Sequence, residues 1–169
     1  MTEKAFPDVR WHRARPRLKK ALTAFGSTRA GSWWIRTVTP LDRALLARSK
    51  GRMTMFGPTG IALILLTTTG RKSGLPRTTP LIYTRDGDRL FVVGSNFGQA
   101  GHPTWTANLL ANPEAIVTMA GKEIPVIAEL ITGAEWDRAF ATFSDYTHAY
   151  DAYLDRTDRT FRIFALTAR

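Results

Sequence analysis

The nine residues Ile61-Ala-Leu-Ile-Leu-Leu-Thr-Thr-Thr69 restrict the fold more than any other stretch of the chain. The first six are apolar without a break and the last three are β-branched. Such a run is too short to cross a bilayer, and its β-branched end and flanking glycines favour a strand over a helix. Because it does not alternate, it reads as a strand buried on both faces. A chain that contains one has to supply packing on each side of it.

The rest of the pattern supplies further strands. Residues 78–85 read as a second strand, and Asp86-Gly87-Asp88 is a tight turn into a third at residues 89–93. Trp105, Leu109 and Leu110 recur at helical spacing between Pro103 and Asn112-Pro113, which predicts a short helix crossing between strands. Residues 115–119 and 123–131, joined at Gly121-Lys122, form a second hairpin. Thr132-Gly-Ala-Glu135 has the spacing of a capping box and opens a helix to about Phe143. Residues 145–155 predict another helix and residues 161–166 a last strand. About six antiparallel strands with interposed helices make a mainly β chain with helices (α+β), folded as a small closed or split β-barrel rather than a parallel sheet.

Charge divides the chain. Its 169 residues, 44% hydrophobic, suit one globular domain, yet the net charge of +10 is concentrated at one end. Residues 1–52 hold 13 Lys or Arg against 3 acids, whereas residues 53–169 hold 11 of each. The expected organisation is a basic N-terminal arm and helix over 1–52 and a barrel domain over 53–169. Within the arm, Thr39-Pro40 ahead of LDRALLARSK predicts an N-cap, a first-turn proline and a short amphipathic helix ended by Gly51. Residues 17–25 predict an earlier helix, broken by Gly26 and Gly31. Cations interleaved with Trp11, Phe25, Trp33, Trp34 and Ile35 suit a membrane surface, an anionic ligand tail or nucleic acid, and suit a solvated arm equally. The chain has no cysteine, so it has no disulfide, thiolate metal site or thiol nucleophile, and a reducing cytoplasm suits it. The first twenty residues lack the apolar core of a signal peptide. The expected location is cytoplasmic, with the arm available to the inner face of the cell membrane.

Several chemistries are excluded. In 66-LTTTGRKSGLPRTTPL-81 the residue before Lys72 is Arg71, so the phosphate-loop pattern of nucleotide hydrolases fails, and Gly70 and Gly74 do not have dinucleotide-binding spacing. His12, His102 and His148 are scattered, and no carboxylate cluster completes a metal site with them. No serine stands in a nucleophile elbow. What remains is a loop with three cations and no Asp or Glu between Met53 and Arg85. Its backbone amides, the Ser73 hydroxyl and the Arg71, Lys72 and Arg77 side chains form a candidate seat for phosphate or carboxylate.

That loop, followed by DGDRLFVVGSNFG and HPTWTANLLANPE, resembles the deazaflavin (F420)-dependent nitroreductase family of actinobacterial oxidoreductases. The resemblance runs from about Leu41 to the C-terminus and includes the tyrosine-rich segment Tyr146, Tyr150, Tyr153. The triplet Asp-Arg-Thr that closes the family pattern occurs twice, at 155–157 and 158–160, and the second leads directly into the last strand. The resemblance implies a split β-barrel of the flavin-reductase kind holding coenzyme F420, an 8-hydroxy-5-deazaflavin with a phospholactyl-oligoglutamate tail. Arg71, Lys72, Ser73 and Arg77 would bind the anionic end. Thr78, Thr79, Pro80, Leu81 and Ile82 would run beside the cofactor. Val93, Gly94, Ser95 and Asn96 would meet the ring, and Thr104, Trp105 and Asn108 would complete the pocket. Tyr150 and Tyr153 would cover the ring and, with Ser95, serve the catalytic step. Pattern alone gives plainer roles: Trp105 and Leu109 pack a helix on the barrel, Asn108 braces a loop, Ser95-Asn96 makes a turn, the tyrosine stripe is core and His102 positions a loop.

The function implied is reduction of a quinone, enone or nitroaromatic by hydride from the reduced deazaflavin. The sequence leaves two alternatives open: the same barrel holding flavin mononucleotide, and a basic membrane-surface or nucleic-acid-binding module working through residues 1–52. Nucleic acid is the least favoured partner, a small-molecule acceptor the most favoured, and no metal is expected.

Overall fold

The structure, a computed structural model, describes residues 5–7, 24–25, 28–49, 54 and 62–169. Six antiparallel strands close into a barrel in the order β1-β2-β3-β6-β5-β4. They are β1 (Leu63–Thr69), β2 (Pro76–Asp86), β3 (Arg89–Val93), β4 (Glu114–Met119), β5 (Lys122–Ile131) and β6 (Ile163–Ala168). The helices are α1 (Arg29–Arg48), α2 (Thr104–Ala111), α3 (Gly133–Tyr146) and α4 (Ala149–Leu154). Closure comes from β1, which pairs with β2 through Leu63↔Ile82 to Thr69↔Pro76 and with β4 through Leu65↔Thr118 to Thr68↔Ala115.

Double burial of β1 follows from that position. Ile64 and Leu66 face the barrel interior with Val92, Val117, Val126 and Leu166, while Leu63 and Leu65 face outward and pack under Leu46 of α1. A second apolar layer outside the barrel joins Phe91, Val93 and Ile163 to Phe143 of α3 and to Tyr150 and Tyr153 of α4. Three side chains from outside the strands complete the interior: Trp105, tilted on Phe164 at 5.7 Å, Leu109, and the fully buried Phe6. The Phe6 carbonyl accepts a 2.7 Å hydrogen bond from Arg85, next to the β2–β3 turn. Part of the basic arm therefore contributes to the core of the barrel.

The structure corrects several local expectations. Helix α1 runs straight through Thr39-Pro40, and its cap is Thr28, whose hydroxyl accepts the Gly31 amide at 2.9 Å. Thr132 makes no side-chain cap, because Glu135 pairs instead with Arg89 at 2.8 Å. The second hairpin turns at Ala120-Gly121, both at positive φ, and Lys122 already belongs to β5. The helix expected over 145–155 is broken at the extended Thr147, and Ser144 donates to the Asp151 carboxylate across the break. Strand β6 starts two residues late because the carbonyls of Phe161 and Arg162 are taken by Trp136 Nε1 and the Gly94 amide. Of the helix expected over 17–25 only Ala24 and Phe25 are described, and they are helical; Trp11, His12, Gly51 and Ile61 lie outside the described residues.

Truncating Phe6 to alanine leaves a void in the barrel interior. The expected cost is about 3–5 kcal/mol of unfolding free energy, read as a lower urea midpoint with an unchanged slope; a loss under about 1 kcal/mol would show that the segment does not seat in the barrel in solution.

Candidate functional site

Helix α2 is the spine of the site. Its apolar side, Trp105 and Leu109, enters the barrel, which fixes its polar side against two loops. At one end Gly94 lies so close that a Cβ there would stand 2.7 Å from Thr106 Cγ2 and 3.3 Å from the Arg162 carbonyl oxygen, so glycine is required by contact. Two residues on from Thr106, and on the opposite face of the helix, the buried Asn108 joins β1 to the cationic loop. Its Nδ2 donates to Thr68 Oγ1 at 3.0 Å and its Oδ1 accepts the Arg71 amide at 3.1 Å. Thr106 and Asn108 are two residues apart, about 3 Å along the helix axis, and project on roughly opposite sides of it, so the turn and the loop meet different faces of α2.

The loop between β1 and β2 consumes nearly all its own amides. Gly70 donates to Leu75 O, Ser73 and Gly74 to Gly70 O, Leu75 to Ser73 Oγ and Arg71 to Asn108. Only the Lys72 amide of residues 70–75 has no acceptor among the described residues, so an anion is offered side chains rather than a nest of backbone amides. Arg71, Lys72 and Arg77 are exposed and have no carboxylate partner among the described residues.

Beside the N-terminal end of α2, residues 94–99 form a tight, strained turn. Asn96 and Phe97 both lie in the left-handed region (φ 48 and 55), at roughly 1–2 kcal/mol each for a side chain there. The turn is held from outside. The Arg159 guanidinium donates to the carbonyls of Gly94, Ser95 and Gln99 at 3.1, 2.6 and 2.9 Å. Its Nη1 also lies 3.2 Å from His102 Nδ1. Burial, then the charges of Arg162 and Arg159, push the His102 pKa below its ordinary 6.5, which keeps the ring neutral and Nδ1 free to accept. The Ser95 hydroxyl is half-buried and has no partner among the described residues.

Helix α4 closes this end. Phe97 meets Tyr153 edge-on at 5.7 Å, Tyr153 meets Tyr150 at 6.0 Å, and Gly98, at φ +73, packs on the Tyr153 backbone where a Cβ would collide. Tyr150 is buried and its hydroxyl has no hydrogen-bond partner among the described residues. Burial first, then Tyr153 and Tyr146, drives its pKa far upward, so it keeps its proton at any working pH. Tyr146, also shifted up by burial, accepts the Ala62 amide at 2.8 Å.

Residues 34–168 match the F420H(2)-dependent quinone reductase family. The chain belongs to that family. An F420H(2)-dependent quinone reductase of Mycobacterium tuberculosis is 33% identical over 132 residues, which are 76% of this chain and 89% of that one. Among solved structures, an F420-H2 dependent reductase is similar at 31% identity, with a TM-score of 0.57 over 62% of this chain and 92% of that one. A domain-swapped dimer is similar at 28% identity and a TM-score of 0.59, over 80% and 98% of the two chains.

The family's cofactor, a flat deazaflavin with an anionic tail, fits the donor set: cations with no carboxylate partner among the described residues stand on one face of α2, and the Ser95 hydroxyl, without a partner among the described residues, stands on the other with the tyrosines beyond it. Of the residues anticipated from sequence, Arg71, Lys72, Ser73 and Arg77 gather in the loop, and Ser73 Oγ is already engaged with Leu75. Thr78 bonds Thr67 at 2.8 Å across the strands, Pro80 and Ile82 share its outward side by alternation, and Thr79 and Leu81 alternate inward. Val93, Gly94, Ser95 and Asn96 lie at the turn, and Thr104 begins α2, exposed. Trp105 is barrel core, Asn108 is a loop brace, and Tyr150 and Tyr153 are buried in the outer apolar layer. Sequence reasoning missed Arg159 as a site residue, although the Asp158-Arg159-Thr160 triplet was visible. An open cleft of about 550 Å³ shares His102 and Arg159 with the turn but contains none of the loop cations. Among the described residues no group of three His, Cys, Asp or Glu could hold a metal.

Because the folded His102 pKa is lowered, the unfolded chain binds its proton first as pH falls. Stability is flat in this group above 6.5 and declines below it towards the folded value. Between about pH 8 and about pH 5, wild type should therefore lose more unfolding free energy than His102→Gln. Parallel pH profiles would remove His102 from the account.

Proposed function

We propose that this protein reduces a quinone with F420H2, binding the anionic end of the cofactor at Arg71, Lys72 and Arg77 and the acceptor near Ser95 and the tyrosines. When bound, the deazaflavin supplies the hydride. Everything else falls to the chain's own side chains. The three cations anchor the tail through charge-assisted hydrogen bonds, while Thr78–Ile82 and Val93–Asn96 flank the flat part of the cofactor. Thr104 and Asn108, on α2, keep the two ends in register.

Quinone reduction to hydroquinone takes one hydride and one further proton. The Ser95 hydroxyl, free of other bonds, orients the acceptor oxygen and stabilises charge that develops on it. Tyr150, which keeps its phenolic proton, and Tyr153 offer hydroxyls as hydrogen-bond donors to the same oxygen, and solvent supplies the further proton. The apolar layer around them keeps water away from the reacting carbon. The observation that carries this reading is the pairing, across one short helix, of cations that have no carboxylate partner among the described residues with a hydroxyl that has no partner there.

In the same reading residues 53–169 carry the cofactor and acceptor, and residues 1–52 bring the enzyme to an anionic membrane surface where apolar quinones reside. The support is the concentration of charge in the arm together with the exposed apolar side chains of α1: Trp33, Trp34 and Leu41 are 62%, 44% and 66% accessible. Among the described residues no helix is long and apolar enough to span a membrane.

Two measurements test the halves of this reading. Fluorescence titration of F420 should give an affinity about tenfold weaker for Lys72→Ala than for wild type; equal affinities would displace the tail from this loop. Co-sedimentation with vesicles rich in phosphatidylglycerol should retain wild type and release Trp33→Ala/Trp34→Ala, with F420 affinity unchanged. Equal retention would free α1 of that role.

A further inference from the structure

Arg159 is the most heavily engaged side chain at the site, and no part of the proposed reaction uses it directly. Four of its N–H groups are spent, on the carbonyls of Gly94, Ser95 and Gln99 and on His102 Nδ1. Its guanidinium also stands 4.9 Å from the Phe161 ring centroid, which sets its plane. The turn it grips places two consecutive non-glycine residues in the left-handed region, so its own backbone preferences do not hold it. Beyond Ser95 the other bonds of the turn are local, Gly98 N to Ser95 O at 3.0 Å, Gln99 N to Asn96 O at 3.1 Å and Asn96 Nδ2 to Gly101 O at 2.9 Å; the Gly94 amide, donated to the Arg162 carbonyl at 2.8 Å, ties only its first residue towards β6. Arg159, two residues before Phe161 and four before the start of β6, ties Ser95 and Gln99 to the barrel as well.

We propose that Arg159 is a positioning residue for the reduction, fixing the Ser95 backbone so that the Ser95 hydroxyl stands at one place over the cofactor and acceptor. The inference rests on the proposed function. The shortest of the three carbonyl bonds, 2.6 Å, is to Ser95 itself. Arginine is required because its planar fork reaches three carbonyls from one side, whereas a lysine ammonium carries the same charge at one point. His102 completes the arrangement by accepting from the same Nη1 that reaches Gly94, which fixes the rotation of the fork. Nearby Arg162 cannot substitute, since its Nη1 is donated to Thr106 at 3.2 Å.

Because the cationic loop that would anchor the tail is braced separately, by Asn108 on the opposite face of α2 from Thr106 and Gly94, loss of the fork should disturb turnover and leave cofactor affinity nearly intact. The experiment measures menadione reduction by F420H2, together with the F420 dissociation constant, for wild type, Arg159→Lys, Ser95→Ala and the double variant. The expected result for Arg159→Lys is a kcat lower by roughly ten- to a hundredfold, with the F420 dissociation constant within about threefold of wild type. Acting through Ser95, it should add little to Ser95→Ala, so the double variant is no slower than the slower single one. An unchanged kcat, a loss confined to F420 affinity, or two losses that multiply would each overturn the inference. Should Arg159→Lys fail to fold, Arg159→Gln, which keeps a planar donor for one carbonyl, enters the same cycle. A wild type that neither binds F420 nor turns over sinks the functional reading itself; an active wild type with an unaffected Arg159→Lys sinks only the role of Arg159.

Discussion

Closing β1 onto β4 is the constraint from which the rest follows. It satisfies the backbone of both strands and abolishes the free edge of the sheet. It also leaves an interior that the strands' own side chains do not fill. Trp105 and Leu109 enter it from α2, and Phe6 enters it from the arm. Helix α2 is thereby fixed by apolar packing, and the positions of Asn108 beneath the cationic loop and of Thr106 against Gly94 follow from that packing. A hydrophobic requirement thus sets the spacing of a polar site.

Two side chains, Asn108 and Arg159, then carry most of the site's polar connectivity. Each satisfies backbone groups that a loop would otherwise leave exposed or mobile: Asn108 the Arg71 amide, Arg159 the three carbonyls of the 94–99 turn. The groups suited to a ligand are the ones left over. Arg71, Lys72 and Arg77 have no carboxylate among the described residues, and the Ser95 and Tyr150 hydroxyls have no partner there. Braces and ligand-facing groups are distinct residues, so the braces need not let go for the others to bind.

Strand β1, both hairpins and α2 were legible because their signals are local: an unbroken apolar run, turn residues, and proline ahead of an apolar helical face. The expectations that failed depended on competition between distant groups. Thr39-Pro40 has the form of a helix start, but Thr28 supplies the cap and the packing of Leu46 on β1 carries the helix past the proline. Glu135 has capping-box spacing, but Arg89 on β3 offers it a full charge. Phe6 looked like part of a solvated arm because nothing in its neighbours announces the cavity that it fills. At the site, the cationic loop could be read from its missing acids. Arg159 could not, because an arginine that binds carbonyls leaves no complementary residue type in the sequence. Trp105 and Asn108 are core and brace in the structure, roles that their helical spacing already allowed.

Departures from local rules gather at one place. Phe97, one of the two strained residues of the 94–99 turn, touches Tyr153, Tyr153 touches Tyr150, and Tyr150 buries a hydroxyl with no partner among the described residues. An unsatisfied hydroxyl of that kind costs about 1–3 kcal/mol. The strain adds to it, and the strained pair directly follows Ser95, whose hydroxyl has no partner among the described residues. Ala120, the other non-glycine residue at positive φ, sits in a two-residue hairpin turn that requires that conformation, so it needs no further account. Nothing in the barrel's packing requires the left-handed pair or the orphaned phenol. Phenylalanine at 150 and glycines at 96 and 97 would relieve both while leaving the strand register untouched. A cluster of avoidable, mutually adjacent costs is what a site leaves in a stable fold when its hydrogen-bonding groups are kept for something other than the protein.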